Sequence, residues 1–211
     1  MSYTRAEDVQ IDSWKELGNR GWSWESLLPY YRKSENLTRP TPSDLEAGAS
    51  YNESVHGYKG PLHVGFNHPH DGNLTTPLNQ TFEELGIPWT VDVNDGKMRG
   101  FNVFPETINR EENVREDAAR AYYWPYQERP NLIMMSKTQA RRIVWQKDDD
   151  KNSDATAEGV EVQTADGTST VRARKEVIVS AGSLRTPALL ELSGVGNEEW
   201  VVLAADITGI S

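Results

Sequence analysis

The chain has 211 residues, which is room for one packed domain or slightly more at about 150 residues per domain. It carries 22 basic and 32 acidic residues, so its net charge is -10 and its isoelectric point is near 4.9. An acidic chain is repelled by phosphate backbones and anionic lipid head groups, which argues against nucleic acid or a membrane as a partner. The absence of cysteine excludes disulfides, thiolate nucleophiles and cysteine-ligated zinc.

The first 66 residues predict two helices, a long loop and a strand. Apolar residues at near-helical spacing predict a helix over 8–17 that ends at a glycine. A second helix is predicted over 27–34 with Ser26 as its N-cap, which would place the helix proline in the first turn. Residues 36–60 have little periodicity and predict a loop or lid, and alternation over 62–66 predicts a half-buried strand.

The middle of the chain predicts two further helices with a strand between them. Residues 76–85 combine an N-cap, a proline at the first helical position and an i, i+4, i+7 apolar stripe, all typical of a helix. Residues 101–104 predict a strand. Apolar residues at four-residue steps over 114–122 predict a helix that ends before Pro125.

From Asn131 onward the pattern is that of β-structure. Strands are predicted at 132–135, 143–145 and 160–162, and Asp166-Gly167 predicts a hairpin turn into the next strand. The run over 176–181 predicts a central strand that is covered on both faces.

A turn and a helix follow this predicted central strand. The turn is predicted at Gly182-Ser183, and Thr186-Pro187 should open a helix that stops at Ser193-Gly194.

Local motifs for other chemistries are weak or absent. His68-Pro69-His70 predicts a solvated loop rather than a metal site, because a proline between ligands offers no preorganised geometry. Neither Ser183 nor Ser193 lies in a Gly-x-Ser-x-Gly frame, and no Gly-x-Gly-x-x-Gly opens a helix after a strand. Four Asn-x-Ser/Thr sequons predict glycans if the chain is exported, and chance matches in polar loops are the alternative. They begin at Asn36, Asn52, Asn73 and Asn79.

Longer motifs resemble one enzyme family. Residues 180–196, SAGSLRTPALLELSGVG, resemble the second signature of the glucose-methanol-choline (GMC) flavin oxidoreductases. Tyr3, Ala6 and Asp12 fit the tail of the first signature of that family. The stretches DSWKELGNRGWSWESLLPYYRKSE and HGYKGPLHVG are most similar to the glucose oxidase branch, and the resemblance covers residues 1 to about 197.

This resemblance implies an α/β fold, with a partial FAD-binding, Rossmann-like domain and part of an α+β substrate domain. Residues 1–60 would be a helical and lid segment after the first flavin-binding signature, 61–128 part of the substrate domain, and 129–211 part of the FAD-binding domain. By the same resemblance, the residues that contact FAD are Ser2, near the flavin, and Ala140, Ala181 and Gly182, near the adenosine half.

The implied activity is oxidation of the CH–OH group of a primary alcohol or sugar, with oxygen or another electron acceptor. The resemblance also implies secretion and allows a homodimer, although the first ten residues lack the apolar stretch of a signal peptide. The glycine-rich loop and catalytic histidine of the family have no match here, so we expect an incomplete chain. The alternative is a non-catalytic remnant or a surface glycoprotein without flavin.

Overall fold

In a computed structural model that describes residues 2–67, 74–146 and 154–197, the chain divides into two units, Met1–Leu132 and Ile133–Ser211. The core of the first unit includes Ile11, Leu37, Val55, Val64, Phe66 and Val93, and that of the second includes Ile143 and Val162.

The first helix confirms the prediction, and the second begins earlier than predicted. Helix α1 spans Asp8–Glu16, and Gly18 follows it with φ at 97°. Helix α2 spans Trp24–Ser34 with Ser23 as its N-cap, and the N–H of Ser26 donates to the Ser23 hydroxyl. The prediction of Ser26 as N-cap is therefore wrong. Pro29 lies inside the helix, where it has no N–H for the backbone ladder.

The predicted loop over 36–60 instead contains short elements. Strand β1, Glu35–Leu37, pairs in parallel with β2, Leu62–Val64, which confirms a strand in that region. Helix α3 spans Pro42–Glu46 behind a Thr41 capping box, and a 3-10 turn covers Glu53–Val55. Elements of three to five residues are too short to show periodicity in the sequence.

Two glycines allow the chain after the 3-10 turn to pack directly on the end of α2. A Cβ on Gly57 would lie 1.7 Å from the carbonyl oxygen of Arg32, and one on Gly60 would lie 2.2 Å from the carbonyl carbon of Ser34. Backbone hydrogen bonds fix this approach, from Leu37 N–H to Gly57 O and from Gly60 N–H to Glu35 O, each 2.8 Å long.

The fourth helix is confirmed, whereas the strand predicted after it is wrong. Helix α4 spans Thr75–Glu84 and is followed by Gly86 with φ at 76°. Its predicted start is wrong, because Leu74 is the N-cap and Pro77 is the third helical residue rather than the first. Residues 101–104 form only isolated bridges, including one from Phe101 to Trp89. Phe101 also stacks on Phe82 at a ring-centroid distance of 5.0 Å, so aromatic packing rather than a strand ladder holds this segment.

The helix predicted over 114–122 is only partly correct. Val114–Arg115 forms β4, which pairs with β3, Ile108–Asn109. The Asn109 side-chain oxygen accepts from the N–H groups of Glu111 and Glu112, which closes a turn between the strands. Helical structure starts only at the π-turn Ala119–Tyr123, followed by a 3-10 turn, Trp124–Tyr126.

The second unit contains an antiparallel sheet of three strands in the order β5-β6-β7. The strands are β5, Gln139–Trp145, β6, Ala157–Thr164, and β7, Gly167–Arg172, and they confirm the predicted strands at 143–145 and 160–162. The predicted hairpin is also confirmed, but its turn lies one residue earlier, at 165–166, since Thr164 pairs with Gly167, the first residue of β7, whose φ is 126°.

Two apolar runs of this unit are not strands. Residues 132–135 and 176–181 lie in no ladder, and the side chain of Ile178 is 77% exposed. An apolar run predicts a buried strand only where neighbouring strands pair with it, and no other described strand pairs with these two segments.

Helix α5, Gly182–Glu191, begins four residues before the predicted start. The predicted Gly182-Ser183 turn is therefore the first turn of the helix. Gly194, with φ at 84°, follows the helix near the predicted stop.

The close approach at Gly57 generates a stability prediction. Gly57→Ala should lower the free energy of unfolding by about 3 kcal/mol, because the clash is with backbone that cannot rotate away. Gly65→Ala is the matched control, since its Cβ would meet Thr38 at an ordinary 3.6 Å. Urea denaturation of both variants measures the difference, and equal losses would contradict the packing argument.

Candidate functional site

Three of the four sequence-predicted cofactor residues lie in the second unit. Ala140 is exposed on β5, and α5 packs against this strand. Ala181 is the N-cap of α5, and its N–H donates to the Thr186 hydroxyl over 2.9 Å. Gly182 has φ at 88°, and a Cβ there would meet no atom within 4 Å. Small, exposed residues at a helix N-terminus fit a bound group that lies close to the backbone.

The fourth predicted residue, Ser2, lies in the first unit. It is exposed and forms an isolated antiparallel bridge with Glu106. The next residue is fixed at both backbone groups, because Tyr3 N–H donates to Pro105 O over 2.9 Å and Tyr3 O accepts from Asn94 Nδ2 over 3.1 Å. The structure therefore holds the Ser2 segment in place. The cofactor contacts of all four residues remain predictions.

Ser193 joins the end of α5 to β5, a role that the sequence analysis missed. Its hydroxyl donates to Leu189 O over 2.5 Å and accepts from the N–H of Ile143 over 2.7 Å. The indole N–H of Trp145 donates to the Ser193 carbonyl over 2.6 Å. Ser193 is buried, and its hydroxyl satisfies an outward-facing N–H of an edge strand. The sequence offered one signal for this role, since Ser193 directly follows the apolar helix in the family signature.

Four charged side chains form a buried cluster in the first unit, here called the His56 cluster: Arg5, Glu35, His56 and Asp92. Glu35 accepts from Arg5 Nη2 over 2.8 Å and faces His56 Nδ1 at 2.7 Å. His56 Nε2 faces Asp92 Oδ2 at 2.7 Å. None of the four residues is more than 3% exposed.

The two facing carboxylates favour the protonated form of His56. Ionised carboxylates only accept hydrogen bonds, so an imidazolium, which donates from both ring nitrogens, matches both contacts at once. The cluster then holds two positive and two negative charges. Burial alone would lower the pKa of His56, but hydrogen bonds and charges from Asp92 and Glu35 outweigh burial and raise it.

The Asp92 carboxylate is stabilised from the other side by backbone. Burial alone would raise its pKa, but the His56 hydrogen bond and the N–H groups of Asn52 and Asn94 together lower it. These backbone bonds are 2.7 and 2.8 Å long. Asp92 therefore remains a carboxylate opposite the ring.

The sequence analysis did not anticipate this cluster, because its four members come from separate segments. A signal was present in Gly57, which directly follows His56, and in Gly60, four residues after it, because both allow the chain to pack closely on the end of α2. The residues His68-Pro69-His70 and the sequon at Asn73 lie outside the described part of the chain. Within residues 2–67, 74–146 and 154–197, no group of three acidic, histidine or cysteine side chains is placed to hold a metal.

Comparison with known proteins identifies the class. The model of the GMC oxidoreductase family matches residues 1–205, and the chain belongs to this family. Mixed helix and strand content agrees with the α/β class expected from the sequence, and FAD is the cofactor of the family.

Individual members of the family are similar to this chain over most of its length. A glucose oxidase-like protein of Humicola fuscoatra is 46% identical over 188 residues, 88% of this chain and 32% of the relative. A glucose oxidase of Aspergillus carbonarius is 37% identical over 202 residues, 92% of this chain and 32% of the relative. An FAD-dependent oxidoreductase from Chaetomium thermophilum matches 100% of this chain and 35% of its own, with a TM-score of 0.85 at 31% identity.

The chain thus spans about a third of the length of the relatives that it matches. Among the described residues, no helix has the length and apolar character needed to cross a bilayer.

The Ser193 contacts predict a local loss of stability. Ser193→Ala should lower the free energy of unfolding by about 1–3 kcal/mol, because the Ile143 N–H loses its acceptor. Ser169→Ala on the exposed part of β7 is the control, with an expected change within about 0.5 kcal/mol. Denaturant unfolding that gives equal values for both variants would contradict the assigned role.

The charge balance of the His56 cluster predicts a larger loss of stability than that expected for Ser193→Ala. Glu35→Gln should lower the free energy of unfolding by about 3–5 kcal/mol, because it leaves buried cations without a counter-charge. Glu53→Gln removes an exposed pair with Arg39 and should change the stability far less. Urea midpoints at pH 6 measure both, and a small effect of Glu35→Gln would refute the charge balance.

Proposed function

We propose that this chain forms part of an FAD-dependent oxidoreductase that oxidises the CH–OH group of a primary alcohol or a sugar. Oxygen or another acceptor would take the electrons. The observation that carries the proposal is the match to the GMC oxidoreductase family over residues 1–205, together with relatives named as glucose oxidases.

The proposed roles of individual residues follow from their positions. Gly182 and Ala181 would let the adenosine half of FAD approach the N-terminus of α5, and Ala140 would present backbone groups of β5 to the adenine. Ser2 would contact the flavin through its hydroxyl. The bound flavin supplies the chemistry, since it accepts hydride from the carbinol carbon. His56 is not the base in this proposal, because both its ring nitrogens are engaged by carboxylates.

The proposal also includes the domain assignment, secretion and glycosylation. Residues 1–60 would be the helical and lid segment, 61–128 belong to the substrate domain and 129–211 to the FAD-binding domain. Secretion and N-glycosylation follow the family resemblance. Among the described sequons, the Asn52 side-chain oxygen accepts from the N–H and the hydroxyl of Ser54. Asn36 lies in β1 opposite His63 of β2, and Asn79 lies in α4.

The activity test uses the product of the complete reading frame that contains this sequence. We expect a flavin absorption spectrum, and reduction of that flavin by at least one member of a panel of primary alcohols and sugars. Peroxide formation under air, compared with reduction of an artificial dye, separates oxygen from other acceptors. A flavin-free protein, or a flavin that no alcohol or sugar reduces, would contradict the proposal.

Gly182 allows a sharper test of the cofactor position in the same protein. Gly182→Val should weaken FAD binding at least tenfold, because the side chain would fill the space left open beside the turn. Gly167→Val is the matched control: it also has positive φ and open space, so it carries a similar strain of about 1–2 kcal/mol. Flavin fluorescence titration measures both, and equal affinities would place the cofactor elsewhere.

A further inference from the structure

The side chain of Arg5 anchors the N-terminal segment of the first unit. Its Nη1 donates to Val55 O over 2.9 Å and to Asn94 O over 3.0 Å, and its Nη2 donates to Glu35 over 2.8 Å. These contacts reach 30 to 89 residues along the chain. The anchored segment, Ser2–Arg5, is the one that carries the proposed flavin contact.

Glu35 links this anchor to the titratable ring. One carboxylate oxygen of Glu35 accepts from Arg5 and from the N–H of Gly57, and the other accepts from His56. Loss of the ring proton would leave two buried carboxylates and one buried cation. It would also turn one ring nitrogen into an acceptor that faces a carboxylate oxygen at 2.7 Å.

His56 is the member of the cluster that can make this change. Arginine does not lose its proton in proteins, and loss of a proton from the ring is the only such change open to the cluster above neutral pH. The groups that face His56 are Glu35 from β1, Asp92 from the segment after Thr90, and the Tyr51 ring at 6.1 Å. From α2, Arg32 Nε donates to the His56 carbonyl over 3.2 Å.

We propose that the imidazolium of His56 is a pH-operated lock on the Ser2–Arg5 segment, and that its deprotonation releases this segment while the second unit stays folded. The consequence for the cofactor, weaker FAD binding when the lock opens, rests on the proposed function. The lock itself does not, because it concerns contacts within the first unit alone.

The direction of the pH effect follows from linkage. Because the folded state raises the pKa of His56, its contribution is complete below the unfolded value of about 6.5 and is lost as pH rises through the folded value. The lowered pKa of Asp92 acts oppositely: its contribution is complete above about 3.9 and is lost as pH falls through the folded value. The lock is therefore fully held from about pH 4 to 6.5 and opens on the alkaline side.

Hydrogen exchange of the full chain across a pH series tests the lock, with rates corrected for the intrinsic effect of pH. We expect peptides covering residues 2–6 to exchange at least tenfold faster once pH passes the folded pKa of His56, before peptides of β5–β7 change. Nitrogen NMR should show both ring nitrogens of His56 protonated at pH 6. If the peptides of residues 2–6 and of β5–β7 begin to exchange faster at the same pH, the proposal is overturned. A neutral His56 ring at pH 6 would also overturn it.

Two variants separate the lock from a general loss of stability. His56→Gln should release residues 2–6 at every pH, because a neutral side chain cannot balance both carboxylates. The double variant His56→Gln, Asp92→Asn restores the charge balance and should hold the segment with no alkaline transition. Asp44→Asn is the control: it breaks a buried ion pair of this unit outside the His56 cluster, with Arg110, and should add no pH dependence of its own. An alkaline transition retained in the double variant would refute the role of His56.

A second experiment measures the affinity for FAD across the same pH series, and it uses the product of the complete reading frame. Affinity that falls together with protection of residues 2–6 supports both proposals. Release of the segment with unchanged affinity keeps the lock and removes Ser2 from the flavin site. Affinity that falls while the segment stays protected overturns the lock.

Discussion

The carboxylate of Glu35 is the constraint on which the first unit depends. A buried charge is tolerated only when its partners neutralise it and its lone pairs are filled, and Glu35 obtains these partners from two different segments. The N-terminal segment must bring Arg5, and the chain after the 3-10 turn must bring His56 and Gly57. Short elements that would be marginal alone are thereby held in one arrangement. Glu35 is the first residue of β1, which pairs in parallel with β2, and each of these strands has only three residues.

The second unit is held by a different kind of interaction. Its ladder is local, since β5, β6 and β7 follow one another in a meander. What fixes α5 to this sheet is the Ser193 hydroxyl, which gives and receives one hydrogen bond, together with the indole of Trp145. The family signature around Ser193 thus carries a packing function, beside the turn at Gly182 for which we propose the cofactor contact.

Sequence reasoning succeeded where structure is decided locally. Helices α1 and α4 and the hairpin at Gly167 follow from apolar spacing and turn chemistry within about ten residues. It failed where the outcome depends on distant partners: the run over 176–181 looks like a central strand, but no described strand pairs with it. The His56 cluster was missed for the same reason, because nothing near His56 in the sequence shows that Glu35 and Asp92 will meet it. The cofactor residues came from family resemblance rather than from local physics.

The neutral sum of the His56 cluster has a consequence for handling the protein in solution. With His56 protonated the cluster contributes no net charge, so the net negative charge of the chain comes from groups outside it and sets the colloidal behaviour. The isoelectric point near 4.9 falls inside the pH range in which the cluster is intact, and molecules without net charge associate most readily. Solubility is therefore lowest at a pH at which the cluster is still intact. A buffer at about pH 6 keeps the imidazolium while leaving enough surface charge to hold the molecules apart.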